Sequence, residues 1–217
     1  MFATDRDLLT LEPNLFTDIR WAAQTLLDSG PATLSADGLT LTIPGVDLVQ
    51  RAVQPGTVAL LDNLPVEVLA VDTPTTLHIS RPRARADDPP IPVLRSSLAI
   101  AAVTIHTFRA QIGIVHDQLL RALGIEPGAP QQPGIVTESS ITNPGALARV
   151  EALGALHIIF AAASALVGEE SLAWHKARLY RERFGHDRRS VAAAIDLDHD
   201  GIAEAVRRIN TVQLTRG

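Results

Sequence analysis

The period of the hydrophobic pattern changes twice along this chain, and those changes constrain the fold more than any other feature. Between residues 4 and 29, Leu15, Ile19, Ala22, Ala23, Leu26 and Leu27 recur at helical spacing, as on one buried helical face. Thr4 and Asp7 are placed for a capping box, Pro13 suits a first helical turn, and Gly30-Pro31 is a stop signal. From residue 32 the sequence ATLSADGLTLTIP alternates apolar and polar residues about Asp37-Gly38, a hairpin signal. GTVALLD, VEVLAVD and TTLHIS follow, separated by Pro, Gly, Asp and Asn. Short β-type runs at such regular spacing predict a small β-sandwich or barrel-like module. RPRARADDPPIPV, residues 81–93, predicts an exposed, mobile loop with Asp87 and Asp88 solvated. SLAIAAVTIHT, residues 97–107, predicts a strand that returns the chain to helical structure.

Helical spacing resumes with Phe108, Ile112, Val115, Leu119 and Leu123, and stops at Gly124. A long polar loop, EPGAPQQPGIVTESSITNPG, leads to Asn143 as cap and Pro144 as first-turn residue of a helix over 144–167, broken at Gly168. A further helix is expected over about 169–185, with Leu172, Ala173, Ala177, Tyr180 and Phe184 on its buried side. The expected fold class is therefore α+β. Residues 1–31 and 107–189 form an α-helical bundle, 32–106 are an inserted small β-sandwich or barrel-like module with its Pro-rich loop, and 190–217 are a C-terminal β-hairpin or arm.

Composition narrows the function classes. The 217 residues are 46% hydrophobic and 20% charged, as in a globular chain with a core. There is no cysteine, so disulfides, thiolate metal sites and cysteine nucleophiles are excluded. The N-terminal MFATDRDLLTLEP has acidic residues where an export signal needs an apolar run, so none is expected. ALGALHIIFAAASALVG, residues 152–168, is shorter than a typical membrane span and contains His157, which favours a buried core helix. A net charge of −5 argues against broad or sequence-specific nucleic-acid binding. The charge is uneven: HKARLYRERFGHDRR, residues 175–189, has six Lys or Arg against Glu182 and Asp187. That segment reads as a solvated helix face, or as a patch that meets an acidic partner surface or a nucleic-acid backbone.

The chemically most specific stretch is AAAIDLDHDGIAEAV, residues 192–206. Aligned to a helix–loop–helix calcium loop, Asp196, Asp198, Asp200 and Gly201 fit positions 1, 3, 5 and 6, but Arg207 stands where a bidentate glutamate is required. The shorter reading D-x-D-x-D-G-x-x-E fits, with Glu204 as its last acid. Alternate residues of a tight loop can turn their oxygens inward, the glycine permits the bend, and a hard cation wants oxygen ligands. This loop resembles those of integrin-type β-propeller repeats, which implies Asp196, Asp198, Asp200 and Glu204 as side-chain ligands and the Ile202 carbonyl as a fifth, for a structural Ca2+. The competing reading is a metal-free acidic hairpin tip whose carboxylates are answered by Arg207 and Arg208.

No catalytic pattern is legible. The seven histidines form no HExxH and no helically spaced pair with a third ligand, and there is no G-x-S-x-G, P-loop or G-x-G-x-x-G. His157 and His106 read as core or capping residues, and Glu169-Glu170 as acids at a helix start. The chain is expected not to be an enzyme.

The last third, WHKARLYRERFGHDRRSVAAAIDLDHDGIAEAVRRINTVQLTRG, resembles the C-terminal segment of tailed-phage and prophage neck proteins. There, a helix with a lysine and spaced aromatics, here Lys176, Tyr180 and Phe184, precedes an Asp-rich hairpin and a short strand ending in Arg-Gly. The helical plan is similar to the head-to-tail connector family, the neck adaptors and head-completion proteins, over residues 1–30 and 107–217. The β module departs from the simplest members as an insertion. The resemblance implies a virion protein assembled in the host cytoplasm, forming a homo-oligomeric ring that joins portal to tail. A strand such as NTVQLTR could add to a neighbour's sheet, and an arginine-rich flank could meet an acidic one. The alternative is a calcium-dependent binding module with the β portion as ligand-binding domain.

Overall fold

The computed structural model of the protein describes residues 1–131, 135–168, 170–198 and 200–209. The chain divides into two compact units, one formed by Thr4–Phe108 and the other by Met1–Ala3 with Arg109–Gly217. Among the described residues the fold is mixed α+β, with five α-helices, an eight-stranded antiparallel sheet and a two-stranded hairpin.

The first unit holds α1 (Asp5–Leu11), α2 (Leu15–Asp18), a 3-10 turn (Ala22–Gln24) and strands β1 (Thr25–Ser29), β2 (Ala32–Leu34), β3 (Thr40–Thr42), β4 (Val58–Leu61), β5 (Leu64–Thr73), β6 (Thr76–Ser80), β7 (Ala99–Ile100) and β8 (Val103–His106). The helix expected over 4–29 is thus corrected. Its first turns are α1, where the Asp7 carboxylate accepts from the Thr4 N–H and hydroxyl at 2.8 and 3.0 Å. Its last five residues are β1, which pairs with β8 from Thr25↔His106 to Ser29↔Val103.

The strand order is β1-β8-β4-β5-β6-β3-β2-β7. β1 and β2 are joined by residues 30 and 31 alone, yet stand six positions apart in that order. A flat sheet would separate them by about 29 Å, whereas the link reaches about 11 Å. The sheet must therefore curl until its ends approach, around a core that includes Leu34, Leu41, Ile43, Leu77, Ile79 and Ile105. β4 and β5 are joined by Asp62 and Asn63, both at positive φ (50° and 69°), as a two-residue type I′ turn requires. The Asp62 carboxylate accepts from the Ala101 and Ala102 N–H groups at 3.0 and 2.9 Å and pairs with Arg95 at 2.8 Å. That contact sits where the strand expected over 97–107 breaks into β7 and β8.

The Pro-rich loop 81–93 is exposed along most of its length, as expected, but it is tied to the sheet. Arg83 and Arg6 both pair with the buried Glu67, Arg6 Nη2 donates to the Arg83 carbonyl at 2.8 Å, and the Val93 N–H donates to the Gly38 carbonyl at 2.9 Å. Asp88 is half-buried, its carboxylate accepting from the Arg85 N–H at 2.8 Å.

The second unit is built on α3 (Arg109–Ala122), α4 (Pro144–Val167) and α5 (Leu172–Ser190), with a 3-10 turn at Glu138–Ser140 and the hairpin of β9 (Ala192–Ile195) and β10 (Ala205–Arg208). α4 and α5 run antiparallel, since Arg149 pairs with Asp187, Phe160 stacks on Tyr180 at 5.7 Å, and His157 Nδ1 lies 3.1 Å from the Ala177 carbonyl. α4 is long and apolar enough to cross a membrane by length and composition, and 56% of its most apolar window is buried inside the protein. Pro144 opens α4 as expected, but Asn143 does not cap it. Its amide instead accepts from the Ala194 N–H at 2.7 Å and donates to the Ala192 carbonyl at 3.1 Å, which fixes β9 beside the start of α4. Ala177 and Tyr180 face inward on α5, but Leu172 is exposed at its first turn.

Candidate metal centre

β9 and β10 pair from Ala205↔Ile195 to Arg208↔Ala192, so residues 196–204 form the tip of an antiparallel hairpin. Asp196 is the buried member of the loop, at 5% exposure, while Asp198, Asp200 and Glu204 are exposed. One ligand oxygen from each of these four carboxylates lies within 4.8 Å of the others. The loop is held by its own carboxylates. Asp196 Oδ2 accepts from the Gly201 N–H at 2.7 Å, Asp200 Oδ1 from the Ile202 N–H at 2.7 Å, and Glu204 Oε2 from the Leu197 N–H at 2.6 Å. Gly201 bends at φ +90°, where a side chain would be strained. Ile202 lies in the same turn with its side chain 67% exposed.

Four carboxylates within this span repel one another and offer only oxygen donors. The cluster can therefore hold a metal ion, and the donor set suits a hard one. Arg207 does not answer these acids, contrary to one sequence expectation: its Nη1 donates to the Leu123 carbonyl at the end of α3, at 2.8 Å. His199 and the NTVQLTR strand, residues 210–216, lie outside the described residues.

Spacing along the chain did not reveal a second polar cluster. Glu151 of α4 has no exposed surface, yet it accepts from the Phe2 N–H at 2.7 Å, from the Ala3 N–H, and from His116 Nδ1 of α3 at 2.8 Å. His116 Nε2 lies 3.1 Å from Glu138, whose other oxygen is 3.0 Å from the Met1 nitrogen. Burial pushes the His116 pKa down, but the Glu151 hydrogen bond and charge outweigh it and hold it above the usual histidine value. Both ring nitrogens face carboxylates, which leaves this imidazole no nitrogen to exchange a proton with a substrate. The available signals were His116 among Ile112, Val115 and Leu119, and Glu151 within an apolar helix.

In the sheet unit, His106 is buried at 4% exposure, with Nδ1 at 3.1 Å from the Thr25 hydroxyl. Burial, then the Arg20 charge, lowers its pKa against the opposing pull of Asp28. The chain matches no family model, no curated protein and no solved structure.

Proposed function

We propose that this chain is a structural, non-enzymatic subunit of a tailed-phage or prophage neck, forming a homo-oligomeric ring that joins portal to tail in the virion. The observation that carries the reading is the order of elements in the second unit: three packed helices followed by an Asp-rich hairpin. This is the plan that the resemblance of residues 107–217 implies. In this reading α3–α5 act as the bundle, and the curled sheet is a barrel-like insertion. A ring subunit needs surfaces of opposite character on one body. α5 supplies six Lys or Arg against two acids, and residues 196–204 supply four acids and no Lys or Arg. Mass measured across protein concentration should show assembly toward a closed particle, alone or on the portal. A particle that stays monomeric and ignores the portal overturns the reading.

The acidic tip favours a second reading, a calcium-dependent module, which is also compatible with the first. Four carboxylates in one tight loop offer the oxygen donors that a hard divalent cation such as Ca2+ takes. Calcium at a hundred times its dissociation constant should stabilise the helical unit by about 2.7 kcal/mol, and Asp196→Asn should abolish that gain. Melting curves that coincide in millimolar calcium and millimolar chelator overturn the assignment.

A further inference from the structure

The face shared by α4 and α5 is not closed. A groove of about 820 Å3 runs along it, floored by His157, Ala161, Trp174 and Ala177 and rimmed by Arg178, Arg181 and Arg189. Arg178 is engaged by Glu182 at 3.1 Å, Arg183 and Arg188 lie over aromatic rings of their own helix, and Arg149 holds Asp187. Arg181 and Arg189 have no ion-pair partner among the described residues, so the groove presents two uncompensated positive charges over an apolar floor.

The same unit carries the complementary shape. The hairpin tip has Asp198, Asp200 and Glu204 exposed, flanked by the exposed apolar side chains of Leu197 and Ile202 at 46% and 67%. It is fixed beyond the C-terminal end of α5, beside the start of α4, by the Asp196 N–H on the Ser140 carbonyl at 2.8 Å and by Asn143 on β9. The groove extends along the α4–α5 hairpin from Trp174 to Arg189. No ion pair joins the two among the described residues. Complementary patches that are not joined to each other in one chain are open to another copy. Between copies they give a heterologous contact, which closes into a ring or propagates as a filament.

We propose that the α4–α5 groove receives the acidic hairpin tip of a second copy of this chain, with Arg181 and Arg189 on Asp198, Asp200 and Glu204 and Ile202 against the apolar floor. The assignment rests on the ring reading above and specifies its contact. Charge complementarity selects this occupant. The tip carries a formal charge of −4, and −2 with a divalent cation bound, so two free arginines balance the metal-bound tip and offset half the charge of the metal-free one. A nucleic acid is disfavoured because the helical unit has twelve residues of each sign and the sheet unit seven basic against twelve acidic.

The test uses two full-length variants, a groove variant Arg181→Glu/Arg189→Glu and a tip variant Asp198→Asn/Asp200→Asn, with melting curves recorded for each. Each alone should remain monomeric at concentrations where the unaltered chain assembles. Mixed in equal amounts they should form dimers and nothing larger, because only the tip of the first and the groove of the second are intact. The native chain has no cysteine, so a second measurement is free of background. Copies bearing Glu182→Cys mixed with copies bearing Ile202→Cys should form a disulfide-linked heterodimer under mild oxidation. Assembly that survives in either charge variant, or that proceeds without this cross-link, overturns the contact and leaves the ring reading standing. The cross-link together with open-ended masses keeps the contact and overturns the ring. An unaltered chain that stays monomeric and uncross-linked at every concentration overturns the contact, and if it also ignores the portal the ring reading falls with it.

Discussion

Glu151 shows what a single side chain contributes to the helical unit. An ionised carboxylate with no exposed surface is tolerated only when donors replace its water. Here they are the Phe2 and Ala3 N–H groups and His116 Nδ1. Glu151→Ala leaves all three without an acceptor and should cost about 3–5 kcal/mol, read as a shift in the denaturant midpoint of the helical unit. Glu151→Gln keeps an acceptor for the N–H groups but places an amide where His116 needs a carboxylate, so its loss should be smaller. Equal midpoints for the glutamate and alanine forms would mean that the cluster adds nothing to stability.

At the scale of elements, Gly154 sets how closely α3, α4 and α5 approach. A Cβ there would stand 2.7 Å from Val115 Cγ1 and 3.0 Å from the Phe184 ring, whereas one at Gly185 of α5 would meet nothing within 4 Å. Alanine in place of a helical glycine is worth about 1 kcal/mol in backbone terms. Gly185→Ala should therefore stabilise by roughly 0.5–1 kcal/mol, while overpacking should make Gly154→Ala destabilising by roughly 1–3 kcal/mol. Opposite signs of the two midpoint shifts are the check. The contrast also explains which elements were legible. α4 was read with its bounds correct because Asn143-Pro144, the apolar run and Gly168 are local signals. The hairpin tip was read because its alternate acids and glycine are local too. β1 was missed because Leu26 and Leu27 satisfy helical spacing, and what makes them strand is pairing with β8, about eighty residues away in the chain. The same holds for Arg207, whose partner is the end of α3, and for His116 and Glu151, which packing of α3 on α4 brings together.

At the scale of the whole molecule, the two units carry buried histidines with opposite shifts, so pH should act on them in opposite directions. His116 binds its proton more tightly in the folded helical unit than in the unfolded chain, whose histidines titrate near 6.5. Its contribution is complete below that value and is lost as pH rises through the raised folded value. His106 in the sheet unit binds its proton less tightly when folded. Its contribution is complete above 6.5 and is lost as pH falls toward the lowered folded value. The chain has two tryptophans, Trp21 in the sheet unit and Trp174 in the helical unit, so each unit has its own reporter. With Trp21→Phe, the remaining Trp174 fluorescence should show the melting midpoint rising as pH is lowered from about 8 to about 6. With Trp174→Phe, the Trp21 signal should show the midpoint falling as pH is lowered from about 7 to about 5.5. His116→Gln should flatten the first slope and His106→Gln the second, each leaving the other intact. Slopes of the same sign in the two single-tryptophan chains would mean that carboxylates common to both units, not these two imidazoles, govern the response.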